Sequence, residues 1–489
     1  MENESNRLDM FFLPLVLQGH MIPMTDIAKT FETRGAKVTI VTTPFCATLF
    51  AKQIERVNQL GLEFDIQTVK FPSTEVGLPE GWENLDAVAW SQNQAELLDK
   101  FWKALSLLRE LVFHILEEHR PDCLVADLFF PWATDVASRL KIPRLVFGGT
   151  SFFATCVAGI IALYQPHKRV SSDSETFLVP HLPGEIKLTR TQLQEYLRQE
   201  VETEFSKFAK QIVESEVKSY GSIFNSFYEL DKDYADYYRN ILGRKAWLIG
   251  PVSLCNRDTV DKALRGKEAS ISRHECLKWL DSKKANSVIY VCFGSLTKFN
   301  SQQLVELAKG LEASQQDFIW IVRKDKSEEQ DWLPKGFEER MDGKSLIIRG
   351  WAPQVLILDH ESVGGFVTHC GWNSTMEGVC AGVPMVTWPI FSEQFYNEKL
   401  VTQLLQIGIG VGSKQNANFG VGADVVSGDD IVVAVRRVMA GEEAEEMRRR
   451  AKKLGEMARK AVGEGGSSDL DLTSLIEELM QHKAARESK

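Results

Sequence analysis

The 489-residue chain lacks the features that would mark a secreted, membrane-bound or nucleic-acid-binding protein. Its eight cysteines (Cys46, Cys123, Cys156, Cys255, Cys276, Cys292, Cys370, Cys380) form no C-x-x-C pair and no metal-ligand spacing. Most sit beside apolar residues, so buried free thiols in a reducing compartment fit best, with no zinc site expected. Asp and Glu outnumber Lys and Arg 67 to 57, a net charge of −10, so no nucleic-acid partner is expected. The longest apolar run, Ser151 to Tyr164, falls short of the roughly 18 to 20 residues that span a bilayer. The opening MENESNRLDM is acidic where a signal peptide is basic. A cytoplasmic chain without a membrane anchor is the expectation. No G-x-G-x-x-G follows an early strand: neither Gly19 nor Gly364-Gly365 has the spacing, and Gly408 to Gly412 lacks the third glycine position. With no Walker-type lysine either, a nicotinamide-dependent dehydrogenase is the poorer reading.

What is present is ordinary globular composition, 44% hydrophobic and 25% charged, at a length that implies two or three domains. Strand-like and helix-like periodicities alternate: Met10 to Val16, a helix from about Pro23 to Arg34, then Lys37 to Thr42. The rhythm returns with strands at Val288 to Cys292, Phe318 to Val322 and Leu346 to Arg349, and a helix at Ser301 to Glu312. Such alternation predicts parallel sheets with crossover helices. The expected organisation is an N-terminal Rossmann-like domain over 1–251 and a polar linker over 252–273. A second Rossmann-like domain over 274–467 and a C-terminal helix over 468–489, packing back on the first domain, complete it.

Chemistry concentrates in Trp351 to Gln394, WAPQVLILDHESVGGFVTHCGWNSTMEGVCAGVPMVTWPIFSEQ, which holds two His, three Trp and four carboxylates. A strand ending at Thr368, a turn at His369-Cys370-Gly371 and a helix from Trp372 would aim backbone N–H groups at an anion. Ser374 and Glu377 also match an S-x-x-E capping box, a purely structural alternative. Far upstream, His20 follows Gly19 at the exit of the first strand, where it reads either as a loop residue or as a general base. Asp127 closes the strand-like run Asp122 to Ala126 and reads either as a helix cap or as the partner of a base.

The 44-residue stretch resembles, without a gap, the plant secondary product glycosyltransferase (PSPG) signature of the family 1 UDP-glycosyltransferases, and Gly19-His20-Met21-Ile22-Pro23 resembles that family's catalytic GHxxP. The resemblance covers nearly the whole chain and implies an α/β fold of two Rossmann-like domains facing across a cleft, the GT-B fold. It also implies roles. Trp351 would stack on uracil and Ala352 would bond the base through its backbone. Gln354 and Glu377 would hold the ribose. His369, Asn373, Ser374 and Ser295 would contact the diphosphate, and Trp372, Glu393 and Gln394 would read the sugar. Gln at the last position goes with glucose in this family, so UDP-glucose is the expected donor. His20 would take the acceptor's proton and Asp127 would orient it.

The resemblance is closest to plant members acting on flavonoids, other phenolics and triterpenoids. The expected activity is inverting O-glucosylation of a small apolar plant metabolite by a monomer, with C-glucosylation as the alternative. Gln18, Trp82, Phe129, Gly148 and Phe152 are expected at the acceptor, with Trp132, Phe153 and Ala158 to Leu197 nearby. Trp82 and Gly148 stand where close relatives tend to have Cys and His. The two Asp-x-Asp triplets, Asp231-Lys232-Asp233 and Asp469-Leu470-Asp471, read as helix starts. No metal and no resident cofactor are expected.

Overall fold

The computed structural model describes residues 7–59, 61–62, 64–89, 91, 94–198, 202–322, 333–417, 419 and 421–488. The first six residues of the acidic opening segment and Lys489 therefore lie outside the described residues. In chain order the strands are β1 (Asp9–Leu13), β2 (Lys37–Thr42), β3 (Phe64–Thr68), β4 (Cys123–Asp127), β5 (Arg144–Phe147), β6 (Thr176–Leu178), β7 (Lys187–Thr189), β8 (Gly221–Phe224) and β9 (Ala246–Leu248). They continue as β10 (Val288–Cys292), β11 (Asp317–Val322), β12 (Ser345–Arg349), β13 (Val363–Thr368), β14 (Met385–Thr387) and β15 (Gly408–Gly410).

Two compact units result. One contains Met1–Phe152, Gln199–Arg257 and Lys460–Lys489; the other contains Phe153–Arg198 and Asp258–Arg459. The first is built on a sheet of order β3-β2-β1-β4-β5-β8-β9, the second on β12-β11-β10-β13-β14-β15. All pairings within both sheets are parallel. Strands covered by helices on both faces need apolar residues on both, and CLVAD of β4 is buried at all five positions.

The first core joins Phe12, Ile27, Phe31, Ile40 and Leu145 to Leu472, Leu475 and Leu479. Those three leucines lie on the helix Ser467–Glu487, which is pinned to the same unit by Arg486 Nη1 to Pro121 O (2.9 Å) and Lys483 Nζ to Asp122 Oδ2 (3.0 Å). In the second unit Val291, Leu311, Trp320, Val367, Val386 and Ile431 make the core.

Two boundaries fall elsewhere than expected. Residues 153–198, including the β6–β7 hairpin, group with the second unit, and the reason is visible in their bonds: Asn416 N–H donates to Thr191 O (2.8 Å) and Thr191 Oγ1 to Lys414 O (2.8 Å). The stretch 252–273 is no bare linker. Residues 258–273 belong to the second unit and include the helix Thr259–Leu264, whose Lys262 bonds Asp359 at 2.6 Å.

Both sheets reverse their winding at one place, between β1 and β4 in the first unit and between β10 and β13 in the second. Connections leave in opposite directions there and open a crevice at the carboxyl ends of the strands. His20 with Asp127 stands at the first of these points, and His369 with the helix after β13 at the second.

Candidate functional site

At the first switch point the chain leaves β1, and Leu17 in extended conformation (φ −144°) starts the helix Gln18–Glu32. The helix was expected to begin at Pro23, because proline is a common first helical residue. It begins five residues earlier, and Pro23 lies inside it. His20 is thus a first-turn helical residue on a rigid element, not a loop residue. Asp127 ends the neighbouring strand β4.

His20 Nδ1 lies 2.6 Å from Asp127 Oδ2, with the carboxylate wholly buried and the imidazole 17% exposed. A carboxylate only accepts, so Nδ1 carries the hydrogen and Nε2 is the basic nitrogen. The other carboxylate oxygen accepts the Phe129 N–H at 3.1 Å, which locks Asp127 against rotation. Gly149, at φ +64°, lies so close that a Cβ there would stand 3.3 Å from His20 Cε1. The ring is therefore boxed on one side by backbone.

Of the residues expected at the acceptor, Phe129 is adjacent to this pair: its ring meets His20 edge-on at 5.7 Å and stacks on Trp102 at 5.2 Å. Phe205 and Phe208 extend the aromatic wall, at 6.0 and 5.7 Å from Trp102. Trp102, Phe205 and Phe208 had no signal in the sequence beyond residue type, since they come from two helices remote in the chain. Gln18 is buried on the same first turn as His20. Trp82 is half-buried in the turn after Pro79, its N–H on Pro79 O at 3.2 Å. Gly148 has room for a side chain, the nearest atoms to a Cβ being 3.5 Å away.

Phe152 does not line a cleft. Its ring stacks on Phe224 at 3.7 Å, meets Tyr238 at 5.2 Å and has no exposure, so it is a core residue. Phe153 is likewise fully buried, and Trp132 is buried with its indole N–H on Leu105 O at 3.1 Å. Aromatic type alone does not tell core from cleft.

At the second switch point β13 runs into His369-Cys370-Gly371 and the helix Trp372–Ala381. Cys370 is left-handed (φ +63°), held by its N–H on Thr368 Oγ1 (3.3 Å) and its carbonyl on Asn397 Nδ2 (2.9 Å). The capping-box reading is overturned, because Gly371 is the cap and Ser374 is already the third helical residue. Ser374 and Glu377 instead meet Gln354: its Nε2 donates to Ser374 Oγ at 3.1 Å and to Glu377 Oε2 at 2.7 Å. Tyr290 OH completes the row by donating to Gln354 Oε1 at 3.3 Å.

His369 sits between two glycines. A Cβ on Gly294 would come within 2.6 Å of its Nε2, and one on Gly371 within 2.4 Å, so only glycine fits at either place. Gly294 precedes Ser295 in the loop leaving β10, which pairs with β13 as far as Cys292 opposite Thr368. Burial lowers the His369 pKa to about 4, so the imidazole is neutral at physiological pH.

Trp372 is buried at the helix start beside Asn373. The loop leaving β14 carries Ser392 in left-handed conformation (φ +57°), then Glu393 and Gln394. Glu393 accepts from Ser392 Oγ at 2.6 Å. Gln394 Oε1 accepts the N–H groups of Ile390 (2.9 Å) and Phe391 (3.0 Å), so its oxygen shapes the loop and its amide N–H₂ is the end that can read a ligand.

Two residues of the supposed linker support this half. Arg265 forms a buried ion pair with Glu377 Oε1, both side chains under 8% exposed. Ser270 clips the backbone of Trp351, accepting its N–H on Oγ (3.1 Å) and donating its own N–H to Trp351 O (2.8 Å). Trp351 itself is half-buried, and Ala352 O is taken by the Gln354 N–H at 2.9 Å.

The two Asp-x-Asp triplets serve the scaffold. Asp231 accepts from Ser226 Oγ (2.7 Å), and Asp471 pairs with Arg239 and accepts the Leu248 N–H (2.8 Å). Among the described residues no group of three or more His, Cys, Asp or Glu is arranged to hold a metal ion, and no helix is long and apolar enough to cross a membrane.

Comparison with known proteins agrees with this layout. The profile of the family described as UDP-glucoronosyl and UDP-glucosyl transferase matches residues 15–486. The scopoletin glucosyltransferase of Nicotiana tabacum is 56% identical, over 98% of this chain and 99% of that protein. The UDP-glucose flavonoid 3-O-glucosyltransferase 7 of Fragaria ananassa is 55% identical, over 98% of both. Among solved structures, Glycyrrhiza uralensis UGT73P12 complexed with glycyrrhetinic acid 3-O-monoglucuronide superposes with a TM-score of 0.91 at 43% identity, over 99% of this chain and 97% of that one. With two parallel-sheet α/β units of the GT-B class and a profile match along nearly its full length, the chain belongs to the plant UDP-glycosyltransferases and is a glycosyltransferase.

Proposed function

We propose that the chain is an inverting, UDP-glucose-dependent O-glucosyltransferase acting on a hydroxyl of a small apolar plant metabolite, a flavonoid or other phenolic or a triterpenoid. The observation that carries this reading is the 2.6 Å bond between His20 Nδ1 and a wholly buried Asp127, which leaves Nε2 as the basic nitrogen at a switch point. The acceptor hydroxyl gives its proton to Nε2 as its oxygen attacks C1 of the sugar. The C1–O bond to UDP breaks on the opposite face, UDP leaves with the electron pair, and the α-linked donor yields a β-glucoside. Asp127 stabilises the imidazolium as it forms.

On the second unit, Gln354 and Glu377 take the ribose and Trp351 with the Ala352 backbone takes the base. The helix start at Trp372–Ser374, with Ser295 and neutral His369, receives the diphosphate as negative charge develops on it. Trp372, Glu393 and the Gln394 amide read the sugar hydroxyls. The glucose and acceptor assignments draw support from the Nicotiana and Fragaria relatives and from the ligand of the Glycyrrhiza structure. The aromatic wall of Trp102, Phe129, Phe205 and Phe208 beside His20 suits a flat apolar acceptor.

In this reading the helix start, Ser295 and His369 stabilise the departing diphosphate without a metal or resident cofactor, and transfer should then survive EDTA. We place the enzyme in the cytosol, a reducing compartment that suits eight free cysteines, and take it to act as a monomer. The test is a matrix of UDP-glucose, UDP-galactose and UDP-xylose against flavonoids, simple phenols and triterpenes, with products read by mass and by the anomeric proton coupling. A β-O-glucoside supports the reading. A C-glycoside, an α-product or equal use of the three donors overturns the corresponding part.

A further inference from the structure

Asp127 is wholly buried, and a neutral imidazole does not balance its charge. A buried carboxylate needs a compensating cation or a dense set of donors. The structure supplies a cation from beneath. Arg144, the first residue of β5, is 2% exposed, and its Nη2 donates to the backbone carbonyl of Asp127 at 3.0 Å. Its Nη1 donates to Thr134 Oγ1 (2.6 Å) and Ser215 Oγ (2.5 Å), neutral hydroxyls that orient the guanidinium without cancelling it.

Carboxylates face Arg144 from three elements: Asp127 on β4, Asp135 on the helix Trp132–Leu140, and Glu216 on the helix Glu204–Lys218. Asp135 is exposed and screened by water. Glu216 is already engaged by Arg244 (3.2 Å) and by the Tyr238 hydroxyl (2.7 Å). On the helix that carries His20, Asp26 is turned to Asn256 Nδ2 at 2.9 Å. Of the three carboxylate residues, Asp127 is the one Arg144 bonds directly, through its backbone carbonyl. Burial lowers the Arg144 pKa to about 10, with Asp127 the first of the charges opposing that fall, so the guanidinium stays charged at neutral pH.

We propose that Arg144 is a positioning residue that sets the proton affinity of the His20–Asp127 pair through its fixed charge, held against the Asp127 backbone. The inference rests on His20 being the base. Without that charge the pair binds a proton more tightly, and the pH below which the base is lost moves upward.

The test is the pH dependence of kcat/KM for the acceptor at saturating UDP-glucose. In R144M the acid limb should rise by about one pH unit, the size expected for removing one charge at this range in a protein interior. R144K keeps the charge and should return the limb to its wild-type position even where its rate stays low. If R144M does not fold, S215D sets a carboxylate against Nη1 and should move the limb in the same direction. A limb that stays in place in whichever of these two variants folds, whatever happens to the rate or the melting temperature, overturns the proposal. H20A separates the two readings: an active H20A defeats the base assignment, while an inactive H20A with an unmoved limb in the Arg144 variant defeats this inference alone.

Discussion

Arg265 and Glu377, 112 residues apart in sequence, form an ion pair in which both side chains are buried, and Gln354 holds the other oxygen of the same carboxylate at 2.7 Å. The carboxylate is thereby fixed in orientation, and each oxygen retains a lone pair that, in the role proposed for Glu377, would accept a ribose hydroxyl. E377Q should bind UDP about ten- to a hundredfold more weakly, the worth of hydrogen bonds to a charged group. R265M strands a buried carboxylate and should lower stability by about 3 to 5 kcal/mol as well. Titration calorimetry with UDP and thermal melts measure both. Undiminished UDP affinity in E377Q would remove Glu377 from the ribose site.

Glu398 gives the second unit a pH-dependent stability. Burial raises its pKa to about 7, and Thr387 Oγ1 donates to it at 2.9 Å. A raised carboxyl pKa means the folded state binds more protons than the unfolded one between the ordinary carboxyl value of 4.5 and about 7, so its contribution is intact below 4.5 and declines as pH rises to 7. E398Q keeps the acceptor oxygen and cannot ionise. Its melting temperature should match wild type near pH 4.5 and exceed it above pH 7. Parallel curves across that range would show that Glu398 does not titrate there.

Phe152 and Phe129 separate core from cleft. F152A removes a ring packed against Phe224 and Tyr238, and should cost about 3 to 5 kcal/mol of stability with little change in acceptor KM in the surviving folded fraction. F129A, which strips the ring beside His20, should raise acceptor KM severalfold while UDP affinity stays unchanged. The reverse pattern would return Phe152 to the acceptor site.

Much of this was legible in the sequence, and the gaps have physical causes. Alternating periodicity located Lys37–Thr42 and Val288–Cys292 within a residue, because strands buried on both faces are nearly continuous apolar runs. His20 and Asp127 could be placed at strand exits for the same reason. Proline misled the start of the first helix, since Pro23 is carried inside it. The capping box misled because a glycine cap leaves no side-chain signature, freeing Ser374 and Glu377 to face Gln354. Arg265, Ser270 and Arg144 were not legible at all. Each acts through a partner on another element, and nothing in a lone Arg or Ser within a polar or strand-edge stretch announces which buried carboxylate or backbone it will meet.

The most direct measurement is H20A, assayed for UDP binding and for glucosyl transfer with the same preparation. UDP affinity should stay within about twofold of wild type, because every residue assigned to the nucleotide belongs to the other unit. The transfer rate should fall by about a thousandfold, within the range a general base contributes. Transfer within tenfold of wild type in H20A, with UDP bound normally, would contradict the account at its centre.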